Sequence, residues 1–600
     1  MTDERARRRG DLWDRRYGRR AVLRGAALAG MGLAGAFALA CGGRGGSKPA
    51  APAGPAAGGA QPSPAPAGQA AASLIGRSGS RPTEQPRRGG TLNWYMNGNS
   101  PTFDHHRSNS QLTFLPISPV LSRLYRFRVA WDVAEANNRA VEPDLAASIE
   151  SPDAVTWIVK LRPEARFHDI APVNGRAVDA EDVKATFTRA LAPENPNRGL
   201  FAMVDPARIE TPDRHTVIFR LNFPYAPFIK LISTGYYSWV LPREAVAGEY
   251  DPARKVIGSG PFMMESYTPD VGVTYKRNPN WHEQGRPYID GAKIAIIPDP
   301  AQRLAQFTAG NLDFLSVPIE DVETMQRQNP RAEVIKNWDQ GDGQIFFQLG
   351  DPNSPFQDIR LRRALSLAID REAYGRVMCN NQYILGFWAS QTLGKWALRM
   401  EHLPPEVARW YKYNPQEARQ LFEAAGGTSL EVRMMYPIPN PREPWFGTAG
   451  EMVFNMLKAL PWKQFSFVRV DYTRDWIAGG KGKWYGNFPS NEILWYGIQN
   501  RDDIDLYLYS FFHSKSASNT FRLNDPKLDA MIDRARGILN EDERVQAYLE
   551  AHKYIAEQMY GVAGMPNALI YQMVQPRVRN YLIGDGAGLG TSVWSSLWLA

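Results

Sequence analysis

Val155, Trp157, Val159 and Leu161 stand at every second position of one short run, the period-two pattern of a strand with a single buried face. Within twenty residues the period changes. Asp179 is placed to cap a helix, Asp182 sits where a short acid can reach back to the cap, and Val183, Phe187 and Leu191 form an apolar stripe. The stretch from Val141 to Leu191 is therefore a strand, a loop and a capped amphipathic helix. It is scaffold and carries no chemistry of its own.

The first forty residues have the order of an export signal, with a basic start, the uncharged run Gly25 to Ala40 and small residues ending at Cys41. Gly18-Arg19-Arg20-Ala21-Val22-Leu23-Arg24 resembles a twin-arginine signal, with Gly18 and Val22 at positions that usually carry Ser or Thr and Phe. Ala38-Leu39-Ala40-Cys41 resembles a bacterial lipobox, which marks Cys41 for lipidation after cleavage, with Ala38 in place of the usual Leu. An uncleaved anchor is the alternative, since Arg24 and Arg44 bracket 19 uncharged residues. Either way the rest of the chain lies outside the cytoplasm.

The formal net charge of +8 invites a nucleic-acid partner, but its location argues against one. Residues 1–41 contribute +5 and residues 42–88 another +5, which leaves −2 for the remainder. A nearly neutral globular part has no basic surface to track phosphates. Residues 42–88 are mostly Ala, Gly, Pro and Ser, too poor in apolar bulk to fold, and are expected to be a disordered tether. Cys379 is the only cysteine besides Cys41, so no internal disulfide is expected and Cys379 is read as an inert core residue. The 500 or so residues after the leader must hold themselves together by a large core, enough for two domains or more.

Several segments further along have a local physical meaning. Ile209 to Leu221 reads as a strand pair turning at Pro212-Asp213, and Phe223-Pro224-Tyr225-Ala226-Pro227-Phe228 as a stiff aromatic corner. Gly258-Ser259-Gly260-Pro261 is a turn whose glycines permit positive φ, and it lacks the Lys and Ser or Thr of a phosphate loop. Asp358 is expected to cap a helix that buries Leu361, Leu365 and Ile369, leaving Arg360, Arg362 and Arg363 on a solvated or ion-paired face. Gly426 should stop the helix that starts after Asn414, while Asp525-Pro526 and Asn540 with Glu543 should start two more. The glycine run 584–590 lacks the context of a dinucleotide site and reads as a turn. His105-His106 has no spaced carboxylate or thiol partner, so no metal is expected there, and no cofactor elsewhere.

In collinear order these segments resemble a known family. Pro143-Asp144-Leu145-Ala146, Thr156-Trp157 through Lys160-Leu161-Arg162, Phe167-His168-Asp169 and Ala180-Glu181-Asp182-Val183 match the family 5 extracellular solute-binding proteins, the dipeptide, oligopeptide and nickel receptors of ABC importers. Gly89-Gly90-Thr91-Leu92, Ile257 to Phe262, Arg277-Asn278-Pro279 with Trp281, Pro287 to Asp290 and Ala309 to Asp313 continue the match. So do Pro355 to Asp358 with Arg360, Ala368 to Arg371 and Tyr413 to Ala418, so the resemblance spans about residues 89 to 582.

The resemblance implies an α/β chain with the two-lobe periplasmic-binding-protein type II fold and an additional subdomain in the first lobe. Lobe 1 is expected at 89–340, with the subdomain at about 141–204, lobe 2 at 341–565, and a return to lobe 1 at 566–600. Hinge crossings are expected near Lys336 to Ile345 and Pro566 to Tyr571, with solute enclosed between the lobes. In peptide-binding relatives a W-x-x-D motif supplies an aromatic wall and the carboxylate that pairs with the peptide ammonium group. Trp495 matches the wall here, whereas Ile498 occupies the carboxylate's place. Asp502 and its neighbours Asp503 and Asp505 are candidate substitutes, and Trp338, Tyr496 and Trp239 are further candidate walls for sugar rings, aromatic solutes or peptide side chains.

The expected function is therefore a membrane-tethered receptor, monomeric and without covalent chemistry, that hands a peptide-like or other small organic solute to an ABC permease. An exported hydrolase is the alternative from another class. The chain lacks G-x-S-x-G, H-E-x-x-H and Walker patterns. A sensor or chaperone without a permease is the third.

Overall fold

The computed structural model describes residues 74–600 apart from 109, 236, 340–342, 439–444, 498–502 and 584–590. The export signal, Cys41, most of the tether and the glycine run 584–590 thus lie outside the described residues, as do Ile498 and Asp502.

Sheets with different burial patterns divide the molecule. Ala146–Glu150, Thr156–Leu161, Thr216–Arg220 and Ile209–Asp213 form an antiparallel sheet in which Trp157, Val159 and Leu161 point inward and Lys160 outward. The helix Ala180–Ala190 packs its Val183 and Phe187 into the same core. Its capping box forms as the sequence dictates, with Asp179 accepting from the Asp182 amide and Asp182 from the Asp179 amide at 3.0 Å. The hairpin turns at Arg214-His215, two residues later than Pro212-Asp213 predicts, because Asp213 remains paired with Thr216.

A second sheet joins Thr91–Met96, Gly291–Ile296, Gly272–Arg277 and Phe262–Thr268. A third is built around the ten-residue strand Met565–Val574, flanked by Glu333–Trp338 and Phe314–Val317 along its later part and by Tyr383–Gly386 along its start. Gly76–Arg77 pairs with Ile335 and Lys336 at the edge of this sheet, and Arg77 bonds Glu333 at 2.5 and 2.9 Å. Part of the expected tether is therefore folded. Leu74 and Ile75 pack on the core beside it, which the surrounding Ala and Pro concealed.

The fourth sheet runs Gln464–Asp471, Glu431–Ile438, Glu492–Gly497, Gly343–Phe347, Gly561–Val562. Gly343–Phe347 and Glu492–Gly497 are buried along their whole length, as central strands covered on both faces must be. Buried apolar residues from Ile345 to Ala568 form one cluster around this sheet, and those on either side of that range form three others. The chain leaves the third sheet after Trp338 and enters the fourth at Gly343; it leaves the fourth at Val562 and re-enters the third at Met565. This is the two-lobe α/β arrangement, with both crossings side by side.

Helix ends follow their caps. Asp358, Asn414, Asp525 and Asn540 each accept a backbone amide of the first turn, and Gly426 adopts φ +77° after its helix. Two expectations change. Arg362 is buried and donates to the carbonyl of Met559 at 2.8 Å and to that of Phe356, so it is a tie between elements rather than part of a solvated face. Gly258 and Gly260 do not take positive φ. They are needed because a Cβ on either would lie within 2.7 Å of the Val120 carbonyl group. Cys379 is fully buried in the second core. Among the described residues no helix is long and apolar enough to cross a membrane.

Candidate functional site

A cavity of about 410 Å³ opens between the Ile345-to-Ala568 cluster and the first-lobe cluster that holds Trp157 and Phe187. Its first-lobe side consists of the turn at Asn197 to Leu200, the Phe223 to Tyr225 corner and Tyr237. Its second-lobe side is a connected set of rings. Trp476 lies 5.9 Å from Trp484 and 5.2 Å from Tyr496, and Trp484 lies 5.0 Å from Tyr496. Tyr472 and Tyr485 continue this wall, while Ser510, Ser516 and Ser518 add hydroxyl groups and Lys515 stands exposed beside them.

The local sequence explains why the rings converge. Tyr496 is on a central strand, so successive side chains project to opposite faces. The Tyr496 side faces Trp476 and Trp484, carried by the helical turn Tyr472–Ile477 and the turn Lys483–Tyr485. Trp495 projects to the opposite face, where it is fully buried, stacks 5.7 Å from Phe446 and fits between Gly343 and Gly450. Of the expected wall residues, Tyr496 lines the cavity and Trp495 lies one layer behind it.

Trp338 and Trp239 are not brought to the cavity. Trp338 is buried with Tyr95, Leu569 and Tyr571. Trp239 is fully buried in the first lobe, 5.5 Å from His105. His105 and His106 are themselves buried, and among the described residues no group of three His, Cys, Asp or Glu is placed to hold a metal.

At the edge of the cavity the two lobes share a polar cluster. Asp503 caps the helix Ile504–Phe512 through the Asp505 amide at 2.8 Å. Asp505, almost wholly buried, accepts from the Tyr225 hydroxyl at 2.9 Å on one oxygen. Its other oxygen accepts from the Tyr548 hydroxyl at 2.9 Å and lies 3.2 Å from Nε of Arg536. The Arg536 guanidinium lies over the rings of Tyr509, Tyr225 and Phe223 at 4.0, 4.8 and 5.1 Å. Burial opposes the Arg536 charge most strongly, but Asp505 and the neighbouring Tyr225, Tyr548 and Tyr509 together outweigh it, and the group is held above its usual pKa. Burial, then the neighbouring Asp505 charge, pushes the Asp503 carboxyl up to about 6. Lys230, buried beside this cluster and 3.9 Å from Glu541, is pulled down to about 8 by burial.

Trp476, Trp484, Tyr225, Tyr509 and Arg536 are absent from the residues that sequence reasoning selected. The signal available was density: five aromatics fall between Tyr472 and Tyr496, in a segment broken by glycines.

The chain is similar to Heme-binding protein A of Haemophilus influenzae, 25% identical over 492 residues that cover 76% of this chain and 84% of that protein. It is equally similar to Di/tripeptide-binding protein 2 of Pseudomonas aeruginosa, 25% identical over 489 residues and 76% and 86% of the two chains. The structure of the oligopeptide-binding protein AppA from Bacillus subtilis, solved with a nonapeptide, superposes with a TM-score of 0.66 at 20% identity, covering 86% of this chain and all of that one. The model of the bacterial extracellular solute-binding proteins, family 5 Middle, matches residues 140–519, and with that match over more than half its length the chain belongs to this family of solute-binding proteins.

Proposed function

We propose that the chain is a membrane-tethered extracytoplasmic receptor that encloses a peptide-like or other small organic solute between its lobes and delivers it to an ABC importer. The observation that carries this reading is the ring-walled cavity between two separate hydrophobic cores. A concave site walled by aromatic rings, with a few hydroxyl groups, suits a small organic molecule. The relatives are named for heme and for di- and tripeptides, and solutes of that size are the ones proposed for this chain.

Lobe 1 comprises residues 89–340 and 566–600, with a subdomain at about 141–204 whose sheet is completed by Ile209–Asp213 and Thr216–Arg220, and lobe 2 comprises 341–565. The passage of the chain between the third and fourth sheets supports the lobe boundaries near 340 and 565, with Tyr383–Gly386 reaching across to the third sheet. Tyr496, with Trp476, Trp484 and Tyr485, forms the solute wall; Trp495 supports it from behind, and Trp338 and Trp239 contribute as buried scaffold. Ile498, in the place of the family carboxylate, removes one anchor for a free amine, and Asp502 is a candidate replacement. Twin-arginine export and lipidation at Cys41 place the monomeric receptor at the outer face of the membrane.

Native mass spectrometry of freshly purified protein tests the reading. A retained small organic solute, released on denaturation, is the expected result. Steady conversion of that solute to product by the purified protein would overturn it in favour of a hydrolase.

A further inference from the structure

Beside the cavity the two lobes meet through a small set of residues. From the first lobe come Asn137 and the segment Phe223 to Lys230; from the second come Gly394, Asp505, Arg536 and Glu541. A Cβ on Gly394 would lie 2.8 Å from the Asn137 carbonyl oxygen, so the two backbones nearly touch there. The Ala226 amide donates to the Arg536 carbonyl across the lobes at 2.6 Å. Lys230, held by the Arg139 carbonyl of its own lobe, lies 5.8 Å from the Trp396 ring of the other.

At the centre of this face is the Tyr225–Asp505 hydrogen bond. Tyr225 belongs to the first-lobe core with Phe219 and Phe228, whereas Asp505 begins a helix of the second. Tyr225, Asp505 and Arg536 also line the cavity, so the same groups face the solute space and the opposite lobe. Both oxygens of Asp505 are already engaged, by Tyr225 on one side and by Tyr548 and Arg536 on the other. A ligand ammonium group would meet a carboxylate that already accepts from two hydroxyls, pairs with Arg536 and is almost wholly buried. Burial, followed by the Asp505 charge, keeps both tyrosine hydroxyls protonated and therefore able to donate.

We propose that Tyr225 and Asp505 form a clasp between the lobes, made on closure and broken on opening, and that Asp505 serves closure rather than pairing with a charged solute. This rests on the receptor reading above. Tyr225 is a positioning residue in this account: its hydroxyl links the cavity wall of one lobe to the charged pair Asp505–Arg536 of the other. A hydrogen bond to a charged, desolvated acceptor is among the stronger ones available for such a role.

Hydrogen exchange on the purified full chain, with no ligand added, tests the clasp in Tyr225→Phe and Asp505→Asn. The Ala226 amide reports the lobe contact, and the Val217 and Phe219 amides, buried within the first lobe, report its fold. The expected result is exchange at Ala226 faster by about tenfold or more, with Val217 and Phe219 unchanged and a larger radius of gyration by X-ray scattering. Unchanged exchange at Ala226 in Tyr225→Phe overturns the proposal. So does acceleration of all three amides together, which would make Tyr225 a fold residue only. Asp505→Asn is read only where its circular dichroism matches the parent; otherwise Tyr225→Phe alone decides. Since no solute enters the measurement, a failed clasp leaves the mass-spectrometric test of the receptor reading intact.

Discussion

Trp495 lays its ring against the backbone of Gly343, where a Cβ would stand 2.0 Å from the indole carbon Cζ2. The two strands pair with Ile345 opposite Trp495, and the ring reaches back over Gly343 to meet Phe446 and Gly450 on the adjacent helix. A glycine is needed there because of its neighbour, and the neighbour is fixed because of the glycine.

Trp495→Ala should therefore act first on stability. Removing a fully buried indole from a layer that cannot collapse onto it costs about 3–5 kcal/mol. Gly343→Ala, which forces the ring to move, should cost about 1–3 kcal/mol. Urea unfolding midpoints check both. A Trp495→Ala protein as stable as the parent would mean that the indole is not a structural member of this layer.

Tyr485 offers the contrasting case. It lines the cavity and is only half-buried, so Tyr485→Ala should leave the unfolding midpoint close to that of the parent. Loss of a ring face from the wall should weaken retention of the co-purifying solute by about 1 kcal/mol, roughly fivefold. Titration calorimetry with the solute identified by mass spectrometry measures this. Equal affinity in a folded variant would remove Tyr485 from the wall.

The contrast between Trp495 and Tyr485 also shows how far the sequence could be read. Helix caps such as Asp179 and Asp358 were legible because capping needs only neighbours in sequence, two or three residues apart. The family order was legible for the same reason, since its motifs are local. The cavity was less so. Period-two reasoning makes Trp495 and Tyr496 face opposite ways, but which face meets the cavity depends on where Trp476 and Trp484 dock, and that is a tertiary fact. Gly258 and Gly260 likewise looked like turn residues, and only the approach of the Val120 carbonyl explains them. Asp505 was visible as an acid near the motif, yet nothing local announces a partner 280 residues earlier.

Acid should destabilise the fold through its buried histidines. Burial lowers His105 and His168 to about 4 and His552 to about 3. A histidine with a depressed pKa gives stability that is present above its ordinary value near 6.5 and is lost as pH falls toward the folded value. Each should cost about 1.4 kcal/mol per pH unit in that window. Asp503 opposes this in part. Its pKa is raised to about 6, so its contribution grows as pH falls from 6 toward the ordinary carboxylate value. The histidines outnumber it, and urea midpoints should fall between pH 6.5 and 4.5. His552→Gln, which cannot become charged in the core, should flatten that fall. A profile as steep as the parent's would show that His552 does not titrate there.

Cys41 is the proposed lipid anchor of the receptor. If its thiol carries the lipid, Cys41→Ser leaves no acyl chain, and membrane retention would then fall to the uncharged segment between Arg24 and Arg44. The variant should move from the membrane fraction to the soluble fraction on cell fractionation, and mass spectrometry of the parent should find an N-terminus at Cys41 with added acyl mass. Retention of Cys41→Ser on the membrane at the parent's level would assign anchoring to the uncleaved segment between Arg24 and Arg44 instead. The folded part is the same in both cases, and so, to within a few residues, is the Ala-, Pro- and Gly-rich stretch that precedes it, because the uncharged run ends at Gly43, two residues past Cys41.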